Sequence, residues 1–323
     1  MTRPLCLFCA SEKQERLGNY RDKARSMNSD SPFYDALIYE CDACGVAYAY
    51  PLPSEKVIRE YYSSVRYWKE KTRNVDFAGQ EWSRLFNIDP GLNTRMWRAI
   101  RLYNYIGKQT TILEKAPKVL EIGCGWAAFL YLCRENGIRD LSGLEPSEAV
   151  ARYLSNQGLN VANASVEAFL ERGSSEKYDL VVLSHVIEHL RDPVSIMGGI
   201  KAILANDGLL CLEVPYRDDL QNDVVEGHVS FFDRESIKAV LGGYMILDSK
   251  RFQSAADIRD GFGLAAVGSK LFKTGIEIVA ESDSIERIGP FAWERTMRST
   301  INGELYVGLV LPALAVICAA STE

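Results

Sequence analysis

The spacing of hydrophobic and polar positions changes near residue 118. From there to about residue 250, short apolar runs alternate with amphipathic stretches, which is typical of a parallel sheet with crossover helices. Helix N-caps are expected between the runs at Ser147, at Asp192 before Pro193, and at Asp233. The runs themselves predict six strands, at Lys118–Ile122, Leu141–Leu144, Leu159–Ala162, Tyr178–Leu183, Leu209–Val214 and Met245–Asp248.

A seventh strand has two candidates that the pattern does not separate, Gly263–Val267 and Ala313–Ala319. The second lies in the longest apolar run, Leu305 to Ala320, which has 16 residues and is interrupted by Gly308 and Pro312. A membrane-spanning helix needs about 20 apolar residues. The run therefore favours a buried strand or a helix pair, and we expect no membrane association.

The part of the chain before residue 118 has a helical pattern and many aromatic residues. A helix is predicted after Ser54, with Val57, Ile58, Tyr61 and Tyr62 on one face, and a second from about Arg98 to Glu114. The aromatic residues between them are where a lid over an active site is expected. The fold class predicted is α/β, a doubly wound, seven-stranded Rossmann-like sheet with a small N-terminal module and a helical lid.

Four of the eight cysteines form two C-x-x-C pairs, Cys6 with Cys9 and Cys41 with Cys44. Two such pairs complete a tetrahedral site of four sulfurs, which Zn²⁺ favours, and Gly45 suits the tight turn after the second pair. Two disulfides are the alternative. The other four cysteines are scattered singly in apolar segments, as buried thiols are, so we expect a reducing cytoplasmic location and a structural zinc ion.

The net charge of −6 and the pI near 5.4 do not favour broad nucleic-acid binding, which usually needs a basic surface. No signal peptide is expected, since the first fifteen residues are charged and lack an apolar core. We expect four regions: a zinc module at 1–62, a helical linker or lid at 63–115, a ligand-binding domain at 116–270, and a C-terminal extension at 271–323.

The first predicted strand runs directly into a glycine-rich turn. Gly123 and Gly125 allow the backbone to approach a ligand closely, and Ala127 stands where dinucleotide-binding turns have a third glycine. Glu121, just before the turn, is placed to receive the ammonium group of an amino-acid-bearing ligand. Glu145, at the end of the second strand, is placed to hold both ribose hydroxyls of a nucleoside.

The order and spacing of these segments resemble a known family. Glu121-Ile-Gly-Cys-Gly125, Gly143-Leu-Glu-Pro-Ser147, the run from Tyr178 to Pro193, and Gly208-Leu-Leu-Cys-Leu-Glu-Val-Pro215 are similar to the motif series of class I methyltransferases. The resemblance covers about residues 116–250. The four N-terminal cysteines add a likeness to the subgroup that includes methyltransferases of nucleotide-linked deoxysugars. We expect most of the extra C-terminal domain of the sugar C-methyltransferases to be missing here.

The resemblance implies that S-adenosylmethionine binds at the glycine turn, with Glu145 on the ribose and the Ser165–Val166 backbone near the adenine. The acceptor expected is a polar, sugar-like small molecule. Nucleic acid is an unlikely partner, and the oligomeric state is open. The candidate cofactor-binding residues are Glu121, Gly123, Cys124, Gly125, Trp126, Glu145, Pro146, Ser165, Val166 and Ser184.

All three histidines of the chain follow predicted strands: His185 and His189 the fourth, and His228 the fifth. Histidine exchanges protons near neutral pH, and methylation of an alcohol or a carbon acid requires a base. In the sugar-modifying relatives, the positions resembling His189 and His228 lie at the reaction centre. The candidate catalytic residues are therefore His228, His189, Glu188 and His185.

Two other roles for these four residues stay open. Small-RNA ribose methyltransferases hold a divalent ion with a similar Glu-x-x-Glu-His motif and a distant histidine; here His185 replaces the first glutamate, and the set still suits a transition metal. Alternatively, the residues only hold the loop. For the chain as a whole, the alternatives are a metal-assisted nucleic-acid methyltransferase and an inactive nucleoside-binding scaffold.

Overall fold

A computed structural model describes residues 4–24, 27–63, 90–220 and 224–252, together with the strands 276–277, 296–301, 304–309 and 313–320. The chain divides into two compact units. The first comprises Met1–Ser63, Ser165–Arg251 and Ala313–Glu323, and the second comprises Ser64–Ala164 and Phe252–Pro312. Each unit is formed by segments that are distant in the sequence.

A four-stranded sheet in the first unit includes the N-terminal segment. Its order is β1-β2-β3-β9, and the strand pairs are antiparallel. A short helix, α1 (Tyr20–Lys23), follows β1, and α2 (Glu55–Ser63) follows β3. The strands are β1 (Gln14–Asn19), β2 (Leu37–Cys41), β3 (Ala47–Tyr50) and, far along the chain, β9 (Ser230–Phe231).

The larger sheet has seven strands in the order β10-β14-β8-β7-β4-β5-β6. The pairs β4–β5, β5–β6 and β7–β8 are parallel, as the apolar runs predict, and β14 is antiparallel to β8. The strands are β4 (Val119–Ile122), β5 (Leu141–Leu144), β6 (Asn160–Ala162), β7 (Tyr178–Ser184), β8 (Leu204–Pro215), β10 (Tyr244–Phe252) and β14 (Ala313–Ala320).

Helices alternate with these strands and confirm the predicted Rossmann-like α/β fold. Asp192 caps α7 through its side chain, with Pro193 in the first turn, as expected. Ser147 takes the N-cap position of α5, but its side chain makes no capping hydrogen bond. The helices are α3 (Pro90–Gln109), α4 (Ala128–Glu135), α5 (Glu148–Asn156), α6 (Val166–Arg172) and α7 (Pro193–Ile203).

Two expectations differ in detail from the structure. The helix predicted for Arg98–Glu114 is α3, which begins eight residues earlier, at Pro90, and ends at Gln109. At its end, the amide and the hydroxyl of Thr110 both donate to the carbonyl of Ile106, and a separate 3-10 turn covers Ile112–Lys115. Asp233 accepts from the amides of Glu235 and Ser236, but Glu235 takes the N-cap position, and the element that follows is a 3-10 turn, Ser236–Ala239, and not an α-helix.

The choice between the two seventh-strand candidates is now resolved. Ala313–Ala320 is the strand, and its residues Ile317 and Cys318 are fully buried; Gly263–Val267 lies outside the described residues. The apolar run that contains Ala313–Ala320 also forms β13 (Glu304–Leu309), which pairs with β12 (Thr296–Ile301), and β12 pairs with β11 (Ile276–Glu277). Within the part of the chain that the structure describes, no helix has the length and apolar character to cross a membrane.

Candidate functional site

The four N-terminal cysteines form one cluster. Their sulfurs all lie within 4.8 Å of one another, with Cys6 Sγ 3.7 Å from Cys44 Sγ and Cys9 Sγ 3.5 Å from Cys41 Sγ. A disulfide would need about 2.05 Å, whereas a tetrahedral zinc ion with bonds of about 2.3 Å separates its sulfurs by about 3.8 Å. The spacing fits zinc and excludes the disulfide alternative for these thiols.

The two cysteine pairs have the same local backbone geometry. In the first, the Ala10 amide donates to the Cys6 carbonyl at 2.9 Å; in the second, the Gly45 amide donates to the Cys41 carbonyl at 2.8 Å. Ala10 and Gly45 both have left-handed backbones, with φ of 57° and 71°. This backbone conformation strains Ala10 but not glycine. The hydrogen bond in each pair holds it as a preformed turn.

The electrostatic environment of the cluster also suits a cation. Burial acts to raise the pKa of Cys41, but hydrogen bonds from the backbone at Cys44 and Ala43, together with those to the Cys9 and Cys6 thiols, outweigh it and lower the pKa to about 7. Burial raises the pKa of Cys6 to about 11 and that of Cys44 further. Four thiolates so close together need a cation to stabilise them, and a structural zinc ion would supply this charge and hold the two turns together.

In the second unit, the turn after β4 is held by Glu145. Gly123 and Gly125 have left-handed backbones, with φ of 64° and 53°. One carboxylate oxygen of Glu145 accepts from the Gly125 amide at 2.9 Å, and the other accepts from the Ser147 amide at 2.7 Å. Ala127 is also left-handed, with φ 56°, so it replaces a glycine at some cost in strain. Glu145 therefore fixes the turn before any ligand is bound.

The side chain of Glu121 can accept a further hydrogen bond. Its carboxyl group is buried, and among the described residues its Oε2 has no hydrogen-bond partner. Burial, with a further contribution from the charge of Glu145, raises the pKa of Glu121 to about 8. A buried carboxyl oxygen without a partner is costly, and an ammonium group would satisfy it. This fits the expected role of Glu121 toward the amino group of S-adenosylmethionine.

The other predicted cofactor residues have varied surroundings. The side chains of Cys124 and Trp126 are buried, and Trp126 packs edge-on against Tyr153; Pro146 is half-buried. In the first unit, the Ser165 hydroxyl caps α6 by accepting from the Ala168 amide, and Val166 is buried. The Ser184 hydroxyl donates to Glu213 at 2.6 Å.

The four candidate catalytic residues meet in the first unit around one carboxylate oxygen. Glu188 Oε1 lies 3.5 Å from His185 Nδ1, 3.8 Å from His189 Nε2 and 4.0 Å from His228 Nε2, and the Glu188 side chain is only 1% exposed. We call these four residues the histidine cluster. Glu188, His189 and His228 each place one ligand atom within 4.8 Å of the others, so their spacing also suits a divalent ion.

The backbone around the histidine cluster explains how distant residues converge. His185 follows β7 with a left-handed backbone, φ 56°, and its amide donates to the Glu213 carbonyl at 2.7 Å. Glu188 and His189 lie in a 3-10 turn. The Val229 amide, next to His228, donates to the Glu188 carbonyl at 2.7 Å. The bond from the Val229 amide connects the segment before β9 to the turn after β7, and the bond from the His185 amide connects that turn to β8.

Three further residues at the cluster have no predicted catalytic role in the sequence. Glu213 is fully buried, with Oε2 3.9 Å from His185 Nε2. The Tyr62 hydroxyl lies 2.8 Å from His189 Nδ1, and the Tyr20 hydroxyl bonds the His228 carbonyl at 2.9 Å. Tyr20 and Tyr62 are more than 120 residues from the histidines, so only the tertiary fold reveals them.

A family model and two curated proteins that this chain resembles are described as methyltransferases. Residues 94–244 match the family model described as a methyltransferase domain. Among curated proteins, the chain is 29% identical over 102 residues to a ubiquinone biosynthesis O-methyltransferase of Actinobacillus pleuropneumoniae serotype 5b (strain L20), covering 29% of this chain and 43% of that protein. It is 27% identical over 133 residues to the C-methyltransferase NovU of Streptomyces niveus, covering 39% of this chain and 31% of NovU.

The chain thus matches less than half of the length of either curated relative. Among solved structures, the N-methyltransferase NodS from Bradyrhizobium japonicum WM9, in complex with S-adenosylhomocysteine, is similar with a TM-score of 0.43 and 13% identity. That match covers 83% of this chain and 98% of NodS.

The cysteine cluster predicts that the purified, reduced protein contains one zinc ion per chain. Cys41→Ser removes one of four ligands, so its zinc content should fall well below one and the N-terminal sheet should unfold at a lower temperature. Elemental analysis with thermal unfolding measures both. Cys133→Ala, at a buried thiol outside the cluster, should retain the ion. A folded, reduced wild-type sample without zinc would refute the assignment.

The clamp at the glycine turn predicts that Glu145→Ala weakens S-adenosylhomocysteine binding. The variant leaves the Gly125 and Ser147 amides without their acceptor and removes the expected ribose contact. The loss should be about 1–3 kcal/mol, on the order of 5- to 150-fold in Kd, by calorimetry. Glu148→Ala, at an exposed glutamate nearby, serves as the control. Equal affinity of wild type and Glu145→Ala would refute a role for Glu145 in ligand binding.

The raised pKa of Glu121 predicts a pH-dependent affinity for S-adenosylhomocysteine. Below about pH 8 the free carboxyl is protonated, and it must lose a proton to pair with the ligand's ammonium group. Kd should therefore fall as the pH rises, by up to about tenfold per unit between about pH 6 and 7.5, and then level off. Calorimetry in buffers of different ionisation enthalpy measures the released proton. Glu121→Gln should abolish the slope; a wild type without a slope would contradict the assignment.

Proposed function

We propose that this chain, in which residues 94–244 match the methyltransferase-domain model, is a class I S-adenosylmethionine-dependent methyltransferase that methylates a polar small molecule, with a histidine of the cluster as base. The acceptor we propose is a nucleotide-linked sugar, a glycan precursor or a related natural product. The observation that carries the proposal is the convergence of all three histidines of the chain on the buried Glu188 carboxylate.

The cluster is suited to accept a proton from the acceptor. A neutral imidazole takes up a proton near neutral pH, and the carboxylate of Glu188 stabilises the imidazolium that forms. Both His189 and His228 direct Nε2 toward this carboxylate. Either ring can therefore serve as the base, and the cluster as a whole can retain the proton until it is released to solvent.

The reaction proceeds by in-line displacement. The acceptor's oxygen or carbon nucleophile attacks the methyl carbon of the sulfonium group, the carbon–sulfur bond breaks, and S-adenosylhomocysteine leaves. The proton that the acceptor loses passes to His189 or His228. Because the methyl donor is already activated by its positive sulfur, the main contribution of the protein is to position the two reactants.

One observation supports a sugar-like acceptor. The four-cysteine cluster is built on the same sheet as β9, two residues from His228, and this module is the feature that resembles the deoxysugar methyltransferases. The similarity to the C-methyltransferase NovU adds carbon to oxygen as an atom that could be methylated. The ubiquinone biosynthesis relatives make phenolic acceptors the comparison class in any test.

A metal-assisted mechanism is the second candidate, and the spacing of Glu188, His189 and His228 favours it. In that case the three residues would hold a divalent ion that lowers the pKa of the acceptor hydroxyl. A nucleic-acid acceptor for such a mechanism has less support, because the pI is near 5.4. An inactive scaffold would not need three histidines around one buried carboxylate.

The base role predicts that His228→Ala or His189→Ala lowers kcat while S-adenosylhomocysteine affinity changes little. Loss of a general base costs about 10²–10⁴-fold. Transfer of a labelled methyl group to a panel of nucleoside-diphosphate-linked deoxysugars, with phenols as the comparison class, measures turnover. Wild-type rates in both variants would eliminate the cluster from the chemistry.

A chelation experiment separates the two candidates. If a divalent ion takes part, a chelator that leaves the cysteine-bound zinc in place should abolish turnover, and one added divalent ion should restore it. If a histidine alone is the base, turnover should be unchanged by the chelator.

A further inference from the structure

Three polar atoms from separate parts of the chain form a triangle at the edge of the histidine cluster. The Tyr62 hydroxyl, on α2, lies 2.8 Å from His189 Nδ1 and 2.6 Å from the Gly227 carbonyl oxygen. The third side, from His189 Nδ1 to the Gly227 oxygen, measures 3.0 Å. All three distances are within hydrogen-bond range, so the protons in the triangle must be arranged consistently.

The chemistry of the three atoms permits one consistent arrangement. The Gly227 carbonyl can only accept, and the Tyr62 hydroxyl has a single proton. If that proton pointed at His189 Nδ1, the carbonyl oxygen would face a hydroxyl lone pair at 2.6 Å and a nitrogen lone pair at 3.0 Å, with no proton between them. Repulsion is avoided when the hydroxyl donates to the carbonyl and Nδ1 of His189 carries a proton.

We propose that Tyr62 is a positioning residue whose hydroxyl, fixed by the Gly227 carbonyl, holds His189 protonated on Nδ1 and makes Nε2 the reactive nitrogen. Nε2 is the atom directed at Glu188, 3.8 Å from Oε1. An imidazole whose one nitrogen donates to a fixed oxygen presents the other as a base or a ligand. The inference rests on the proposed function, and it holds for either of its two candidate mechanisms.

The backbone at residue 227 is built around the tyrosine hydroxyl. Gly227 has a left-handed φ of 96°, and a Cβ added there would lie 2.7 Å from the Tyr62 hydroxyl oxygen. Only glycine leaves room for the hydroxyl and adopts this backbone without strain. The His189 ring also packs edge-on between Tyr62 and His228, with ring centroids 5.1 Å and 4.8 Å away. Ring packing and hydrogen bonds therefore fix the same orientation.

Two other tyrosines of the first unit provide matched controls. Tyr20 bonds the same segment through backbone only: its hydroxyl donates toward the carbonyls of Val225 and His228 and accepts from the Gly227 amide. Tyr61 precedes Tyr62 on α2, and its ring packs against Phe33. Tyr20→Phe thus weakens the segment without touching an imidazole, and Tyr61→Phe removes a hydroxyl from the adjacent position.

The test is nitrogen-15 NMR of the histidine rings in the full chain, without any acceptor, at a pH where the rings are neutral. His189→Asn assigns the His189 signals. Wild type, Tyr20→Phe and Tyr61→Phe should show His189 as the tautomer protonated on Nδ1, whereas Tyr62→Phe should show a mixture or the other tautomer. With an active acceptor, Tyr62→Phe should lower kcat by about 10- to 100-fold, with S-adenosylhomocysteine affinity within about twofold of wild type.

Two results would overturn the proposal: a proton on Nε2 of His189 in the neutral wild-type protein, or unchanged His189 signals in Tyr62→Phe. Because the spectra need no turnover, they stand apart from the proposed function. A protein that keeps the predicted tautomer but transfers no methyl group would contradict the function alone.

Discussion

Burial of the Glu188 carboxylate constrains the whole of the first unit. A carboxylate that is 1% exposed is costly unless hydrogen bonds or positive charge compensate it. Three imidazoles are directed at its Oε1 from two segments of the chain. To supply them, the chain accepts a left-handed backbone at His185 and ties the segment before β9 to the Glu188 carbonyl through the Val229 amide. The three imidazoles that compensate the buried charge of Glu188 are also the groups that can accept a proton.

The N-terminal segment has a part in this arrangement that its sequence does not suggest. Its strand β3 pairs with β9, and the Ala49 amide donates to the Val229 carbonyl at 2.9 Å. Arg217 adds an ion pair to Glu40 at 2.8 Å and one to Asp233 at 3.1 Å, and it donates to the Gly45 carbonyl beside the cysteine cluster. A metal ion that orders the cysteine turns would therefore also order the strand next to His228.

The sequence predicted most of the fold because the buried parallel strands contain apolar runs with clear boundaries, as at residues 180–183 of β7. It also identified the cysteine and histidine clusters, since these residue types are rare and their spacing is informative. The contacts of Tyr20, Tyr62 and Glu213 could not be predicted, because they depend on long-range packing. Local signals also misled: Ser147 looks like a capping residue, yet its amide, and not its hydroxyl, makes the contact that matters, with Glu145.

In the second unit, one buried carboxylate clamps the glycine turn and another, Glu121, has an oxygen without a partner among the described residues. We expect the amino group of S-adenosylmethionine to bind at this oxygen. A crystal structure with S-adenosylhomocysteine tests it most directly. We expect the ligand's ammonium nitrogen within hydrogen-bond distance of Glu121 and its ribose at Glu145. A bound ligand whose amino group lies elsewhere, with Glu121 Oε2 still unpartnered, would contradict the account.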